Sequence, residues 1–399
     1  MKRLQTHFFI ALLLLGSSSA LLAQTTVTGQ VNADRIPVSA VPFLTITPDA
    51  RSAGLGDAGV ALSATDANGT YWNISKMVYA EKDAGVSLSY TPWLRNLIGD
   101  MWLGYVTGYK KIGKNQVIGL SLNYFNLGEI QFTNENGIGI GQFDSKEFAA
   151  SGSYALKLSN KLALGLNLRY INSNLTGNQV INGAALKPGQ TVAGDISIFS
   201  NGYSPEKKWY ANYGAMIQNL GGKINYGGSQ TPYFIPTNLK IGTAITNRLD
   251  DKNSLTFTVD LNKLMVPTPP ETDSQGNITK GKDANSKSLF EGVFGSFADA
   301  PGGFSEELKE ISVSAGMEYS WNKILAARLG YFYESPQKGN RNYITAGFGV
   351  HYQQYGLDFA YLFQGSGQQN PLNNTLRLTL SILLDKKLRI EEAPDDRQQ

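Results

Sequence analysis

One short segment of this chain has the glycine spacing of a phosphate-binding loop. Gly54, Gly56 and Gly59 match G-x-G-x-x-G, with Asp57 just before the last glycine. That spacing cradles a dinucleotide only when it follows a buried strand and opens a helix within a βαβ unit. Here it follows residues 48–53 (PDARSA), and no βαβ pattern surrounds it. We therefore expect no bound cofactor, and we interpret the glycines as sites of close backbone packing.

The remaining reactive residue types are few. The chain has no cysteine, which excludes disulfides, thiolate nucleophiles and thiolate metal ligands. Its two histidines are His7 and His351, so neither a Ser-His-Asp constellation nor a metal cluster can be assembled from the sequence. A lone His351 indicates a hydrogen-bonded interior residue. We expect no enzyme activity and no metal, and the formal charge of +3 without a basic patch argues against nucleic acid.

The strongest pattern is alternation with period two. Leucines at 162, 164, 166 and 168 alternate with Ala163, Gly165, Asn167 and Arg169, and residues 376–384 repeat the pattern. Successive side chains of a strand point to opposite faces, so one face is apolar and the other is polar or small. In a bilayer only a closed barrel can present such strands, because an open edge would leave backbone groups unpaired.

Counting these stretches predicts an all-β membrane protein, a 14-stranded antiparallel transmembrane β-barrel over 84–384. Short turns alternate with longer loops, which we expect near 127–143, 174–190, 220–234 and 265–307. Short turns face the periplasm in such barrels and long loops face outward. The last of these connections is then a long extracellular loop.

The segments outside the strands define the rest of the organisation. Residues 1–23 have the basic start, short apolar run and small-residue end of a signal peptide. Residues 24–83 are too patterned for a tail, and a barrel of this size has room for them as a plug. Residues 385–399 form a charged C-terminal tail.

Seven charged residues fall on the polar register of the strands. Because a charge facing lipid at the bilayer midplane costs about 2–4 kcal/mol, we place these side chains inside the barrel. They form either a structural ion-pair network or a polar path for a solute. The residues are Arg169, Lys240, Asp260, Glu318, Arg328, Asp358 and Arg377.

The loop 265–307 contains the best candidate for a binding surface. Leu289, Phe290, Val293, Phe294 and Phe297 share one face at helical spacing, and Phe304 follows. Exposed aromatic side chains need a cover. The helix either folds over the barrel mouth or docks on a partner, and the two are compatible.

Two motifs carry a family resemblance over nearly the whole chain after the signal peptide. Residues 48–61 (PDARSAGLGDAGVA), with Asp66-Ala67-Asn68 and Tyr71-Trp72-Asn73, resemble the N-terminal signature of the PorV family, also called LptO. Residues 297–304 (FADAPGGF) resemble the long-loop motif of that family. The plug motif then comprises Arg51, Gly54, Gly56, Asp57, Gly59, Trp72 and Asn73.

The resemblance implies a FadL-like barrel of the type IX secretion system in the outer membrane of Bacteroidota. Such a protein binds the C-terminal signal domain of cargo that emerges from the SprA (Sov) translocon barrel. It then delivers the cargo to the PorU sortase of the attachment complex, where the cargo is joined to anionic lipopolysaccharide or released. The implied partners are SprA, PorU, cargo C-terminal domains, outer-membrane lipid and lipopolysaccharide, with no cofactor.

Two other functions remain open from the residues. The motif of 48–61 alone would also fit a FadL-like channel for uptake of hydrophobic small molecules, with residues 24–83 as a hatch. The third is a structural or enzymatic barrel.

Overall fold

The alternating segments form a closed ring of fourteen antiparallel strands, which confirms the predicted fold class. The computed structural model describes residues 35–95, 99–133, 139–175, 177, 180–181, 184–185, 187–227, 231–364 and 375–385. The predicted signal peptide, residues 24–34 of the predicted plug and residues 386–399 of the predicted tail lie outside these ranges.

Each strand pairs with the next, and the last closes on the first with Ala84 opposite Leu384. The strands are β1 (Ala84–Pro92), β2 (Trp102–Ile112), β3 (Gln116–Thr133), β4 (Gly139–Lys157), β5 (Leu162–Asn174), β6 (Gly189–Ser200), β7 (Trp209–Gly221), β8 (Asn238–Arg248), β9 (Asn253–Leu264), β10 (Ile311–Trp321), β11 (Leu325–Tyr333), β12 (Asn342–Tyr352), β13 (Tyr355–Gln364) and β14 (Leu376–Leu384).

The register of the strands turns the apolar residues outward. In β5, Leu166 and Leu168 are 56% and 76% exposed, whereas Asn167 and Arg169 between them are buried. The same alternation appears in β14. A continuous belt of exposed leucine, isoleucine and valine would be intolerable in water, so the outer face of the ring fits hydrocarbon.

Aromatic side chains flank this belt. Near the ends of β1 and β2, Tyr90 and Trp102 have ring centroids 5.9 Å apart, and Tyr124 of β3 continues the row 5.3 Å from Trp102. At the opposite ends of the strands, Trp321 and Tyr352 are exposed. Such girdles lie at the two membrane–water interfaces of barrels. None of the helices in the described ranges has the length and hydropathy to cross a membrane.

One predicted loop is mostly strand. The connection expected at 127–143 is instead a long hairpin, because β3 runs to Thr133 and β4 begins at Gly139. The pairing shifts between Asn126 and Gly128, and Gly128 has a φ of 84°. This bulge interrupts the period-two pattern, so the alternation could not be followed past it.

The other connections define two ends of the barrel. The turn end has the short connections, such as those after β2, β4, β10 and β12. The loop end has the long ones, of which the longest lies between β9 and β10. That connection contains the hairpin of Glu271–Thr272 with Ile278–Lys280, a 3-10 turn (Ala284–Ser286) and two of the helices described below. A second small pair, Val180–Ile181 with Ala184–Ala185, lies between β5 and β6.

Residues 35–83 run along the inside of the ring. They contain α1 (Ala50–Ala53), α2 (Gly69–Asn73) and the 3-10 turns Pro42–Thr45 and Ile74–Tyr79. α1 begins after Asp49, whose side chain accepts a hydrogen bond from Ser52 N at 2.9 Å. α1 contacts β12, β13 and β14, whereas Ile74–Tyr79 contacts β3, β4, β5 and β6. These strands lie on nearly opposite parts of the ring, so the segment fills the space between them.

The direction of this segment follows from its two ends. At the loop end, Arg35 Nη2 lies 2.8 Å from Glu306 Oε2 of the β9–β10 connection. At the turn end, Asp83 N donates to Leu384 O at 3.1 Å. The segment therefore crosses the barrel once, from the loop end to the turn end, before β1 begins.

Candidate functional site

The long connection between β9 and β10 carries two short helices, α3 (Leu289–Gly295) and α4 (Phe304–Lys309). Ser288 caps α3, since its Oγ accepts a hydrogen bond from Glu291 N at 3.3 Å. The Nζ of buried Lys287 lies 2.6 Å from Asp299 Oδ2 and so ties the start of α3 to the segment that follows it. Local capping and one ion pair thus give this connection its shape.

Three basic residues from different parts of the chain converge on α4. Glu306 accepts hydrogen bonds from Arg35 Nε and Nη2 at 3.1 and 2.8 Å, and from Lys338 Nζ at 2.8 Å. Glu310 accepts from Lys263 Nζ at 2.5 Å and from Lys338 Nζ at 2.8 Å. The connection is therefore fixed to the barrel wall, to the β11–β12 loop and to the crossing segment.

The protonation of Glu306 reflects these contacts. Burial raises its pKa, but hydrogen bonds from Arg35 and Lys338 outweigh burial and bring the pKa to about 2. The carboxylate is thus ionised throughout the physiological range, and the ion pairs persist there.

Four phenylalanines of this anchored connection are exposed: Phe290 at 68%, Phe294 at 51%, Phe297 at 43% and Phe304 at 76%. We call them the exposed phenylalanines. The rings of Phe290 and Phe294 stack with centroids 6.3 Å apart and planes 5° apart. They stand one helical turn apart on the outer side of α3.

The aromatic residues expected on one helical face occupy two faces instead. Val293 is fully buried and Leu289 is half-buried, so these two face the protein. Gly292 lies beside them, and a Cβ there would come within 2.3 Å of Phe234. Because α3 packs this closely through its small and aliphatic residues, Phe290 and Phe294 are left on the outside.

The seven charged residues predicted to face inward are all buried, but they do not form one cluster. Glu318 accepts from Arg328 Nε at 2.7 Å, and Arg328 Nη1 donates to Asp358 at 2.7 Å. Glu318 also accepts from Arg51 of the crossing segment at 2.9 Å. At the far end, His351 Nε2 lies 3.0 Å from Asp358 Oδ2.

The other four predicted residues each have a separate partner. Asp260 accepts from the backbone nitrogens of Gly59 and Val60, at 2.7 and 2.9 Å. Lys240 Nζ lies 4.5 Å from the ring centroid of Trp72, and Arg377 Nη1 lies 3.2 Å from Asp57 Oδ1. Arg169 pairs with Asp195 at 3.0 Å. Asp195 was missed, although it stands on the same polar register of its strand.

The plug motif meets the wall where the wall has no side chains. Gly56 has a φ of 68° and lies against the backbone of β11, where a Cβ on Gly330 would be 2.0 Å from Gly56 N. Gly59 lies on the ring of Trp72, and a Cβ there would be 2.3 Å from it. Asn73 Nδ2 donates to Ile198 O of the wall at 3.0 Å. These glycines allow the backbone approach that we inferred from the sequence.

A cavity of about 210 Å³ lies at the loop end, between the start of the crossing segment and the wall. Its apolar side includes Phe43 and Phe125, whose rings stack 6.3 Å apart, and Trp93, whose ring is edge-on to Phe125. Its polar side includes Arg377 and Tyr343. The cavity is thus apolar on one side and cationic on the other.

Together these features define a transmembrane barrel that holds its own N-terminal segment and anchors a long, aromatic loop at one rim. The chain belongs to the family of type IX secretion system protein PorV, whose sequence model matches residues 29–271. The matched region includes the plug motif and ends before the exposed phenylalanines. The family and the apolar outer belt assign the barrel to the outer membrane. No curated protein sequence matches the chain.

Several solved barrels are similar in structure at low identity. The toluene transporter TodX of P. putida is 9% identical, with a TM-score of 0.49 over 84% of this chain and 98% of that one. The toluene transporter TbuX of Ralstonia pickettii is 10% identical, with a TM-score of 0.46 over 84% and 98%. A FadL homologue of Pseudomonas aeruginosa is 11% identical, with a TM-score of 0.42 over 84% and 99%.

Proposed function

We propose that this barrel is a shuttle of the type IX secretion system. It binds the C-terminal signal domain of cargo emerging from an SprA-like translocon and delivers that cargo to the attachment complex of a PorU-like sortase. Family membership supports the secretion system. The observation that carries the shuttle role is the set of exposed phenylalanines on an anchored loop.

The exposed phenylalanines are costly unless a partner covers them. Burying one such side chain is worth roughly 1.5–3 kcal/mol. A flexible loop would fold them inward, but α4 is held by Glu306 and Glu310 in ion pairs with Arg35, Lys263 and Lys338. The loop therefore keeps an apolar surface on offer, as a protein-docking site does.

Anchoring also lowers the entropic cost of docking. A loop that is already ordered loses less conformational freedom when a partner binds. The affinity for cargo then comes from the aromatic contacts themselves, and the loop acts as a fixed platform.

The proposed role of residues 24–83 is a stationary plug. Buried ion pairs and hydrogen bonds tie their described part to the wall, as in Arg51 with Glu318 and Gly59 with Asp260. A folded cargo domain has no room beside them, so cargo docks at the rim and does not pass through this barrel.

The proposal is tested by changing Phe290, Phe294 and Phe297 together to Ser. We expect a folded, heat-modifiable barrel that recovers less cargo, less translocon and less sortase in a gentle-detergent pull-down, and a strain with less surface-exposed cargo. Ile278→Ser is the matched control, since Ile278 is a 48% exposed apolar residue of the same connection. Normal surface cargo in a well-folded triple variant would refute the docking role.

A second candidate function is uptake of hydrophobic small molecules, and the loop-end cavity favours it. Uptake requires a continuous path past the crossing segment. Growth on a long-chain lipid that depends on this gene, with secretion intact in its absence, would select this function over the shuttle.

A further inference from the structure

We propose that the loop-end cavity binds a carboxylate that carries an apolar group of about the size of a benzene ring. The ligand chemistry follows from three features of the cavity: a buried guanidinium with an unused edge, a wall of aromatic rings, and its volume.

Arg377 supplies the carboxylate site. Its side chain is buried, its Nη1 donates to Asp57, and its Nε has no hydrogen-bond partner in the structure as described. A buried charged donor without an acceptor is rare and destabilising. An acceptor brought by a ligand would complete its hydrogen bonds.

The unused group belongs to the edge that binds carboxylates. The Nε and Nη2 of a guanidinium donate in parallel to two carboxylate oxygens. Three other arginines of this chain use that edge in this way: Arg35 with Glu306, Arg51 with Glu318, and Arg341 with Glu334. Arg377 pairs with Asp57 through Nη1 instead, and its Nε is left for a second carboxylate.

The charges around the cavity leave Arg377 as the anchor. Arg341 also borders the cavity, but both ends of its Nε–Nη2 edge are satisfied by Glu334 at 2.8 Å. The second oxygen of Asp57 accepts the hydroxyl hydrogen of Tyr343, which keeps that carboxylate turned to its own partners. A ligand carboxylate thus meets the free side of Arg377.

The aromatic wall and the volume set the apolar part. Phe43, Phe125 and Trp93 present ring faces and edges to the cavity, and Ile46 and Leu362 extend this lining. A cavity of about 150 Å³ is enough for benzene. The 210 Å³ here accommodates such a ring together with a short carboxylate-bearing stem.

Two sources can supply this chemistry. One is a small organic acid, and the other is the last residue of a protein chain, whose carboxylate and side chain together have the same character. The second source rests on the proposed function, because cargo would then present its own C-terminus beside the exposed phenylalanines.

The test is calorimetric titration of the full-length, detergent-purified barrel with two matched pairs of probes. Phenylacetate is compared with phenylacetamide, and a peptide of the last ten residues of a co-purified cargo is compared with its C-terminal amide. We expect at least one acid to bind about tenfold or more tightly than its amide, because a charge-assisted pair is lost in the amide. Arg377→Gln should abolish this preference, whereas Arg169→Gln, at a buried arginine paired with Asp195 away from the cavity, should retain it.

Each outcome has a definite meaning. Acid-selective binding of phenylacetate assigns a small organic acid, and acid-selective binding of the peptide alone assigns the cargo terminus; both support the site. Equal binding of acid and amide, or no binding of either pair, overturns it, and this comparison stands even if the Arg377 variant does not fold. Normal surface cargo in a strain with Arg377→Gln that has lost acid binding would leave the shuttle proposal intact, so the two can fail separately.

Discussion

Replacing Glu318 with Gln should strongly destabilise the barrel with its crossing segment. The two carboxylate oxygens of Glu318 accept from Arg51 Nη2 and Nε at 2.9 and 3.0 Å and from Arg328 Nε at 2.7 Å. The side chain of Glu318 is only 11% exposed, so few waters can replace it. The amide has nearly the same shape, and its main effect is to remove one negative charge from between two buried cations.

The expected loss follows from the contacts that remain. Breaking a buried pair by removing one partner costs about 3–5 kcal/mol. Arg328 keeps Asp358 at 2.7 Å, and Arg51 keeps Ser63 O and Thr65 Oγ1 at 2.8 Å. We therefore expect about 3 kcal/mol, the lower end of that range. Adding Arg51→Met should recover about 1 kcal/mol, since contacting residues in one network are coupled.

The assay is urea-induced unfolding of the refolded barrel in lipid vesicles, followed by tryptophan fluorescence. Glu334→Gln is the matched control, because Glu334 also holds an arginine with both oxygens but its partner Arg341 is 46% exposed. That pair should contribute about 0–1 kcal/mol. A Glu318 variant that loses no more stability than the Glu334 variant would refute the argument that this network braces the barrel.

Three further predictions test the membrane register, the wall glycines and the anchored loop. Leu166→Arg, at a 56% exposed outward position in mid-strand, should cost about 2–4 kcal/mol in vesicle unfolding, and Leu158→Arg, beside the turn end, about 0–1 kcal/mol; equal costs would contradict the register. Gly330→Ala should lower stability by about 1–3 kcal/mol because its Cβ would lie 2.0 Å from the backbone of the crossing segment, whereas at Gly152 the nearest atom is 3.9 Å away and Ala should be tolerated. The pKa of Glu306 is lowered to about 2 from an ordinary value of 4.5, so its stabilisation is complete above pH 4.5 and is lost as pH falls toward 2. Hydrogen exchange in α4 should accelerate over that window, and Glu306→Gln should exchange faster at neutral pH with little further change; a pH response unaltered by this variant would exclude Glu306 as its source.

Local pattern predicted the barrel because lipid imposes it residue by residue. Leu166 and Leu168 had to face hydrocarbon, and Asn167 and Arg169 then had to face inward. The bulge at Gly128 could not be foreseen, because one inserted residue reverses the faces of everything after it.

The contacts of the candidate site depend on residues far apart in the chain. Arg35 and Glu306 are separated by 271 positions, and no local spacing indicates their pairing. The two faces of α3 were also beyond the sequence, because the close packing of Gly292 against Phe234 decides which side of the helix turns inward. Periodicity shows that a helix has an apolar side but not which of its large residues will be covered.

The crossing segment has a consequence for how the molecule is made. The ring closes where Ala84 pairs with Leu384, and residues 35–83 pass through that ring from one end to the other. A chain cannot easily be threaded through a finished barrel whose wall grips it by ion pairs, so the strands must be wrapped around it before the seam is sealed. The first residues synthesised thus act as an internal mandrel, and the last strand is the clasp. A variant unable to seat its N-terminal segment would be expected to stall as an open sheet at the assembly machinery.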